Sequence, residues 1–375
     1  MYQDVVALLP GFLGFSHFGG FYYFADRVAS ALRAALEIQT GRSVPVIPFS
    51  TLPTTGLAGR QEFLVGSLAR LDASMGGVAR IHLVGHSAGG VDAFLLTQER
   101  PFDGAPPDPR GIRKRIRSVV TIGSPHQGTG LAETDFAQFL GNPLGHMSGL
   151  PALGKAVVDV LRVAPAEREL PGAVTGGLLD WRESFTFLLQ VLQKRELIQA
   201  LRPERMAELY AKCRPDPEVP ARLACFVTGT LAPAIDNSKS DPLYRDLYAL
   251  TAQGSKNFAF DAKKAAILLA TTPPDKIIKS LDAPVPMFDE TTNDGIVNSI
   301  CQIAHPDNAD EFAGIVISDH GDCLGHYPRA DPLTGDGAGT KKTIHPGLFQ
   351  SGAGFGDDQF FELYRRVAGW IRSAM

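Results

Sequence analysis

Long apolar runs are missing from this chain of 375 residues. The longest, Phe185 to Leu192 and Ala265 to Ala270, fall well short of the roughly 18 residues that a membrane-spanning helix needs. No transmembrane segment is expected. An excess of positive charge is missing too. Lysine and arginine number 36 against 40 aspartates and glutamates, for a formal net charge of −4. The one basic cluster, Arg110 to Arg117, reads as a solvated loop before a strand, so nucleic acid is not expected as a partner. Ahead of the apolar run Val5 to Leu9 there is neither a basic stretch nor a small-residue cleavage site, and no secretory signal is read. As written, the chain is expected in the cytoplasm; a mature extracellular form with a new start methionine is the alternative. Cysteine is sparse. Cys213, Cys225, Cys301 and Cys323 lack metal-ligand spacing, and they read either as buried free thiols or with one disulfide, Cys225 to Cys301 or Cys213 to Cys225.

What is present is enough for a large core, with 44% hydrophobic and 20% charged residues. Short apolar runs at Val5 to Leu9, Val44 to Phe49, Ile81 to Val84, Ile116 to Ile122, Leu223 to Gly229 and Gly314 to Ser318 have the look of strands buried on both faces. Helical periodicity separates the first of them. Phe21 to Ile38 would turn Phe24, Val28, Ala31, Leu32 and Ala35 inward, and Leu57 to Leu71 and Val91 to Gln98 follow. Alternating strands and helices predict an α/β fold with a mainly parallel sheet. Asp357 to Met375 closes the chain as an amphipathic helix with Phe361, Tyr364, Val367, Ala368 and Ile371 inward, and Tyr327 to Gly356, rich in Gly, Asp and Pro, reads as a long surface loop.

The chemistry centres on Gly85-His86-Ser87-Ala88-Gly89, between the run Ile81 to Val84 and a helical stretch. This is the G-x-S-x-G turn in its strand–turn–helix setting. Such a turn holds its serine in a strained conformation, and a side chain two residues to either side would strike the adjoining strand and helix. The serine hydroxyl is thereby exposed at the top of the sheet, with the amide of Ala88 facing the same spot. Pro10-Gly11-Phe12-Leu13-Gly14-Phe15 ends the first strand, where the amide of Phe12 is well placed as a second oxyanion donor; an ordinary strand-to-helix turn is the other reading. His82 reads as a hydrogen-bonded core residue and His86 as a support for the turn.

Together with Thr121-Ile122-Gly123-Ser124-Pro125-His126-Gln127-Gly128 and Asn293-Asp294-Gly295-Ile296-Val297-Asn298, these blocks resemble the bacterial true lipases, α/β-hydrolases acting on triacylglycerols. The likeness covers roughly a quarter of the chain. Those families usually have His-Gly-Phe at the oxyanion turn, so Pro10 is a departure that affects the hydrogen bonding shaping that loop; Ala88 stands where Gln or Met is usual. The resemblance implies an α/β-hydrolase fold with helical lid or cap insertions, a triad of Ser87, Asp294 and His320 in the order serine, acid, histidine, and a structural role for His126. Among the histidines after Asp294, His320 follows the apolar run Gly314 to Ser318 in Asp319-His320-Gly321-Asp322, like the family's Asp-His-x-Glu/Asp. His326 is the alternative base and otherwise a structural residue. His305, before Pro306, reads as a surface turn, and His345 falls in the Gly- and Asp-rich loop. The acid two residues after the histidine is a calcium ligand in many such lipases, which implies structural Ca2+ at Asp322; calcium takes about six to eight oxygens, and the remaining ligands are unassigned. No organic cofactor is implied. The His and Asp pattern of the heat-stable branch's zinc site is absent.

The stretch between Gly123 and Leu223 is far longer than the roughly dozen residues a parallel crossover needs. It reads as an insertion with helices at Leu153 to Leu161, Trp181 to Leu192 and Glu204 to Cys213, the last with Pro203 at its first turn. Phe185, Leu188, Leu189 and Leu192, with Gly176 and Gly177 as hinges, suit a mobile lid over an acyl pocket; a rigid cap is the equal alternative. The expected division is a core part at 1–130, the insertion at 131–222 and the rest of the core at 223–375, with a helical insertion at 244–281. The expected function is a serine carboxylic-ester hydrolase, foremost a lipase for acylglycerols or other hydrophobic esters, meeting them at a lipid–water interface and calling for no protein partner. A short-chain carboxylesterase or polyester depolymerase, a thioesterase or acyltransferase, and a non-catalytic hydrolase-fold binding protein are the alternatives.

Overall fold

In the computed structural model the described residues are 3–12, 14, 17–18, 21–53, 55–99, 102, 108, 110–134, 196–233, 240–258, 260–330, 343–346 and 348–375. The helices expected at 153–161 and 181–192, with their Gly176-Gly177 hinge, lie outside them. In chain order the described elements begin with β1 (Gln3–Leu9), β2 (His17–Phe18), β3 (Phe21–Tyr22), α1 (Asp26–Thr40), β4 (Val46–Pro48), α2 (Leu57–Ser74), β5 (Ala79–His86), α3 (Ala88–Leu95) and β6 (Ile116–Ile122). They continue with α4 (Glu196–Ala200), α5 (Pro203–Lys212), β7 (Arg222–Gly229), α6 (Pro242–Gly254), α7 (Ala262–Ala270), β8 (Ile277–Ile278), β9 (Phe312–Ile317), β10 (Pro328–Ala330), β11 (Thr343–Pro346) and α8 (Asp357–Arg372).

The main sheet has seven strands in the order β4-β1-β5-β6-β7-β9-β8, and each neighbouring pair is parallel. Its residues alternate between two cores, as the pleat demands. On β1, Val6 and Leu8 join α1 and α8 on one face, while Val5, Ala7 and Leu9 pack with Leu64, Val65 and Leu68 of α2 on the other. Fully burying a valine or leucine side chain contributes about 1.5–3 kcal/mol. With all strands running the same way, the loops after β1, β5, β6, β7 and β9 gather at one edge, and the candidate site lies there.

Several expectations shift. The first helix begins at Asp26 rather than Phe21, because Phe21 and Tyr22 pair antiparallel with His17 and Phe18; its fully buried residues are Val28, Leu32 and Leu36. Phe361 of α8 is exposed, and the inward face runs through Phe360, Leu363, Tyr364, Val367, Ala368 and Ile371, the spacing of one helical stripe. The supposed surface loop after Tyr327 contains an antiparallel pair, β10 with β11. Within the second insertion, Ile277 and Ile278 add an edge strand beside Ile315 and Val316. All four cysteines are free and buried, so neither disulfide is formed. No helix among the described residues is long and apolar enough to cross a membrane.

Candidate active site

Ser87 joins β5 to α3 with φ 56° and ψ −133°, and among the described residues it is the one non-glycine with positive φ. Such a conformation costs on the order of 1–3 kcal/mol and persists only where the surroundings enforce it. Both flanking glycines are part of that enforcement. A Cβ on Gly85 would lie 2.3 Å from the carbonyl oxygen of Gly89, and one on Gly89 would lie 2.2 Å from that of Leu9 in β1. The turn is thus wedged between its own helix and the neighbouring strand, and Ser87 N–H donates to Ile122 O at the end of β6 (3.0 Å). Ala88 is the first residue of α3, and amides of a first helical turn have no partner within the helix.

Asp294 and His320 meet at the same edge. His320 Nδ1 lies 2.8 Å from Asp294 Oδ2, and His320 N–H donates to Asp294 O (3.0 Å). The carboxylate is fully buried and saturated with donors: Oδ1 accepts from the amides of Ile296 (3.0 Å) and Val297 (2.8 Å), while Oδ2 also accepts from Thr228 Oγ1 (2.6 Å) and Gln302 Nε2 (3.4 Å). It sits in a tight turn closed by the Asn293–Asn298 bridge. The preceding segment is irregular, because its prolines remove ladder donors, and Val285 and Met287 are exposed. Thr228 at the end of β7 and Gln302 carry no motif that would have marked them in the sequence.

His86 links this pair to the serine turn. Its ring is 4.5 Å from that of His320, centroid to centroid, and its Nδ1 is 2.8 Å from the Tyr23 hydroxyl. Burial, then the neighbouring His320, pushes the His86 pKa well below its ordinary value. The neutral form of the His86 imidazole is thereby favoured. Tyr23 also borders the turn after β1: a Cβ on Gly11 would lie 2.4 Å from its hydroxyl, 2.7 Å from Ser87 Cβ and 3.0 Å from Ser87 Oγ. Phe12 is the next residue, half-buried against the α3 core.

His326, His126, His82 and His305 fall elsewhere. His326 Nε2 donates to the carbonyls of Tyr22 (2.8 Å) and Tyr23 (3.1 Å), so it fastens the loop carrying Tyr23. His126 is buried between Tyr210 and Thr121 (2.5 and 3.1 Å), with its pKa pushed down to about 3 by burial. His82 bonds Ser118 and Asp4 at the opposite end of the sheet. His305 is half-buried, not a free surface turn; it pairs with Glu311 (2.7 Å) and packs on Phe94.

Asp322 is buried, and its Oδ2 accepts the Asp319 amide (2.9 Å), while Asp319 Oδ1 accepts the amides of Gly321 and Asp322 (2.9 and 3.1 Å). Burial raises the pKa of both carboxyls; the charge of Asp294 adds to it at Asp319, and that of Asp319 at Asp322. Among the described residues no group of three or more His, Cys, Asp or Glu is arranged to hold a metal ion.

No family model matches the chain, and no curated protein matches it. Solved structures do. Lipase 1 from Pelosinus fermentans aligns over 98% of this chain and 99% of its own, at 15% identity and a TM-score of 0.49. Staphylococcus hyicus lipase aligns over 99% and 96%, at 14% identity and 0.49. EstA from Clostridium botulinum aligns over 87% and 84%, at 15% identity and 0.48. At such scores the likeness carries no weight on activity. These neighbours are bacterial lipases and esterases, and the chain, by its own parallel sheet and the strained serine turn after β5, has the α/β-hydrolase fold.

Proposed function

We propose that the chain is a serine carboxylic-ester hydrolase acting on hydrophobic esters, acylglycerols foremost. Ser87 Oγ attacks the ester carbonyl carbon while His320 takes the hydroxyl proton, and His320 then gives that proton to the departing alkoxide. Asp294 holds the imidazole with Nδ1–H toward itself and stabilises the imidazolium. The amides of Phe12 and Ala88 receive the oxyanion. Water, deprotonated by His320, then cleaves the acyl-enzyme and returns Ser87. No step passes through a metal or an organic cofactor.

The observation that carries the reading is the buried 2.8 Å contact between Asp294 and His320, with His320 packed on the residue next to a serine held at φ 56°. A hydrophobic acyl chain is supported by resemblance of motifs, and chain length is what the test reads. p-Nitrophenyl esters from acetate to palmitate are offered to the wild type, Ser87→Ala and His320→Ala, with and without a calcium chelator. Turnover of long chains that vanishes in both variants supports a lipase. Turnover limited to acetate and butyrate moves the reading to a short-chain esterase or polyester hydrolase, and a preference for acyl thioesters moves it to a thioesterase. Loss of activity in chelator supports calcium at Asp322. An inert wild type, or a Ser87→Ala variant with full activity, overturns the proposal.

A further inference from the structure

Arg60, on α2, belongs to no motif, yet its side chain is completely buried. Its Nε and Nη2 bind Asp92 Oδ2 (2.8 and 2.5 Å), its Nη1 donates to Leu52 O (2.7 Å), and its Nη2 also reaches Pro10 O (3.3 Å) and Gly11 O (3.4 Å). As a stabilising device the ion pair is poor. Burying two charges costs several kcal/mol per ion, and a volume-matched apolar pair serves the fold as well. Asp92 Oδ1, moreover, has no hydrogen-bond partner among the described residues. What only a guanidinium supplies here is a fork of donors aimed at backbone carbonyls, two of them in the turn beside Ser87.

We infer that Arg60 is a positioning residue of the oxyanion hole, holding the Gly11–Phe12 peptide in the orientation that turns the Phe12 N–H toward Ser87. This rests on the ester-hydrolase reading above. The peptide is trans, so its C=O and N–H point in opposite directions. Fixing Gly11 O on the Arg60 side therefore fixes the Phe12 N–H on the other. Rotating that peptide by half a turn would replace a donor by an acceptor at the oxyanion position. Glycine offers no Cβ to resist such a rotation, and one could not be added, because it would strike Tyr23 and Ser87. The hold must come from outside the residue. Gly14 N–H supplies one part, donating to Gly11 O (3.1 Å), and Arg60 supplies the other, tying the turn to the Leu52 carbonyl across from it. Pro10 strengthens the case. A histidine there could bond within the loop, whereas the proline side chain cannot, so the carbonyls of Pro10 and Gly11 are steadied from behind by α2.

The test uses the full chain and Ser87-dependent hydrolysis of a p-nitrophenyl ester. The double variant Arg60→Met with Asp92→Leu removes both charges together and keeps the packing, and thermal melting verifies that it folds. Its kcat is expected to fall about 100-fold, the order lost with one oxyanion donor, with KM within about twofold. Inhibition by a trifluoromethyl ketone, whose adduct carries an oxyanion, should weaken by a similar factor. Arg60→Lys keeps the charge opposite Asp92 but cannot span three carbonyls; its kcat should fall about 10-fold. It also decides the matter if the double variant does not fold. A folded double variant, or Arg60→Lys, with kcat within about threefold of wild type overturns the inference. If the wild type shows no Ser87-dependent turnover, it is the proposed function that fails instead.

Discussion

Asp294→Asn removes one proton acceptor and leaves almost every atom in place. The carboxylate accepts two backbone amides on Oδ1 and, on Oδ2, bonds from Thr228 and His320. An asparagine must keep its oxygen toward the amides of Ile296 and Val297, since those N–H groups cannot turn. Its NH2 then faces Thr228 and His320. The Thr228 hydroxyl can rotate to accept, but His320 Nδ1 can accept only by giving up its proton, which moves to Nε2. With Nε2 protonated, His320 cannot take the proton of Ser87. The expected loss in kcat is about 10⁴-fold, as for the wrong tautomer in serine proteases, or about 5.5 kcal/mol in barrier. Stability should change little, because only the long 3.4 Å bond from Gln302 Nε2 is lost while a buried charge disappears. The assay is kcat for p-nitrophenyl butyrate from pH 6 to 10, alongside thermal melting. Residual activity should climb with pH as hydroxide takes over the role of base. A variant that melts like the wild type and retains activity within about tenfold of it would refute the tautomer reasoning.

Two further outcomes follow from burial. Asp319 and Asp322 have folded pKa values raised above the ordinary carboxyl range, so their contribution to stability is complete below about pH 4 and declines as pH rises through the raised values. In buffer treated with chelator, Asp322→Asn should therefore melt higher than the wild type at pH 8, with a gap that closes toward pH 4; a gap that widens on acidification would contradict the assignment. The four thiols are buried, with Cys225 pushed up to about 11 and Cys213 to about 12 by burial. Ellman's reagent should find none in the folded protein and all four in guanidinium, and rapid labelling of the native protein would show the burial to be wrong.

How much could be read from the sequence depended on the range of each interaction. The serine turn was legible because its constraints are local: Gly85, Ser87 and Gly89 sit within five residues, and the collisions that exclude a side chain involve the adjoining helix and strand. The main strands were legible because a parallel sheet covered on both faces demands continuous apolar runs. Ile277-Ile278 was not, since two residues carry no periodicity and only the edge left open by β9 makes them a strand. The sequence pattern turns Phe361 inward in place of Phe360, because a one-residue shift along a helix turns a side chain by only about 100°, which the amphipathic pattern at an end does not resolve.

Arg60, Thr228 and Gln302 were out of reach for a different reason. Arg60 and Thr228 act on groups 49 and 66 positions away in the chain, Gln302 acts on Asp294 from eight positions on with no motif to mark it, and each is of a residue type that is ordinary in its own segment. Arginine in an amphipathic helix reads as a solvated residue, and only the fold shows it buried with its donors turned toward a loop. The same distance explains why these contacts matter. A turn of Pro, Gly and Phe fixes its own peptide planes only in part, through Gly14 N–H, and the loop of Asp294 holds only one carboxylate oxygen with its own amides. The rest is set by side chains from elements already locked in the sheet and its covering helices, so the geometry around Ser87 depends on the packing of the whole core.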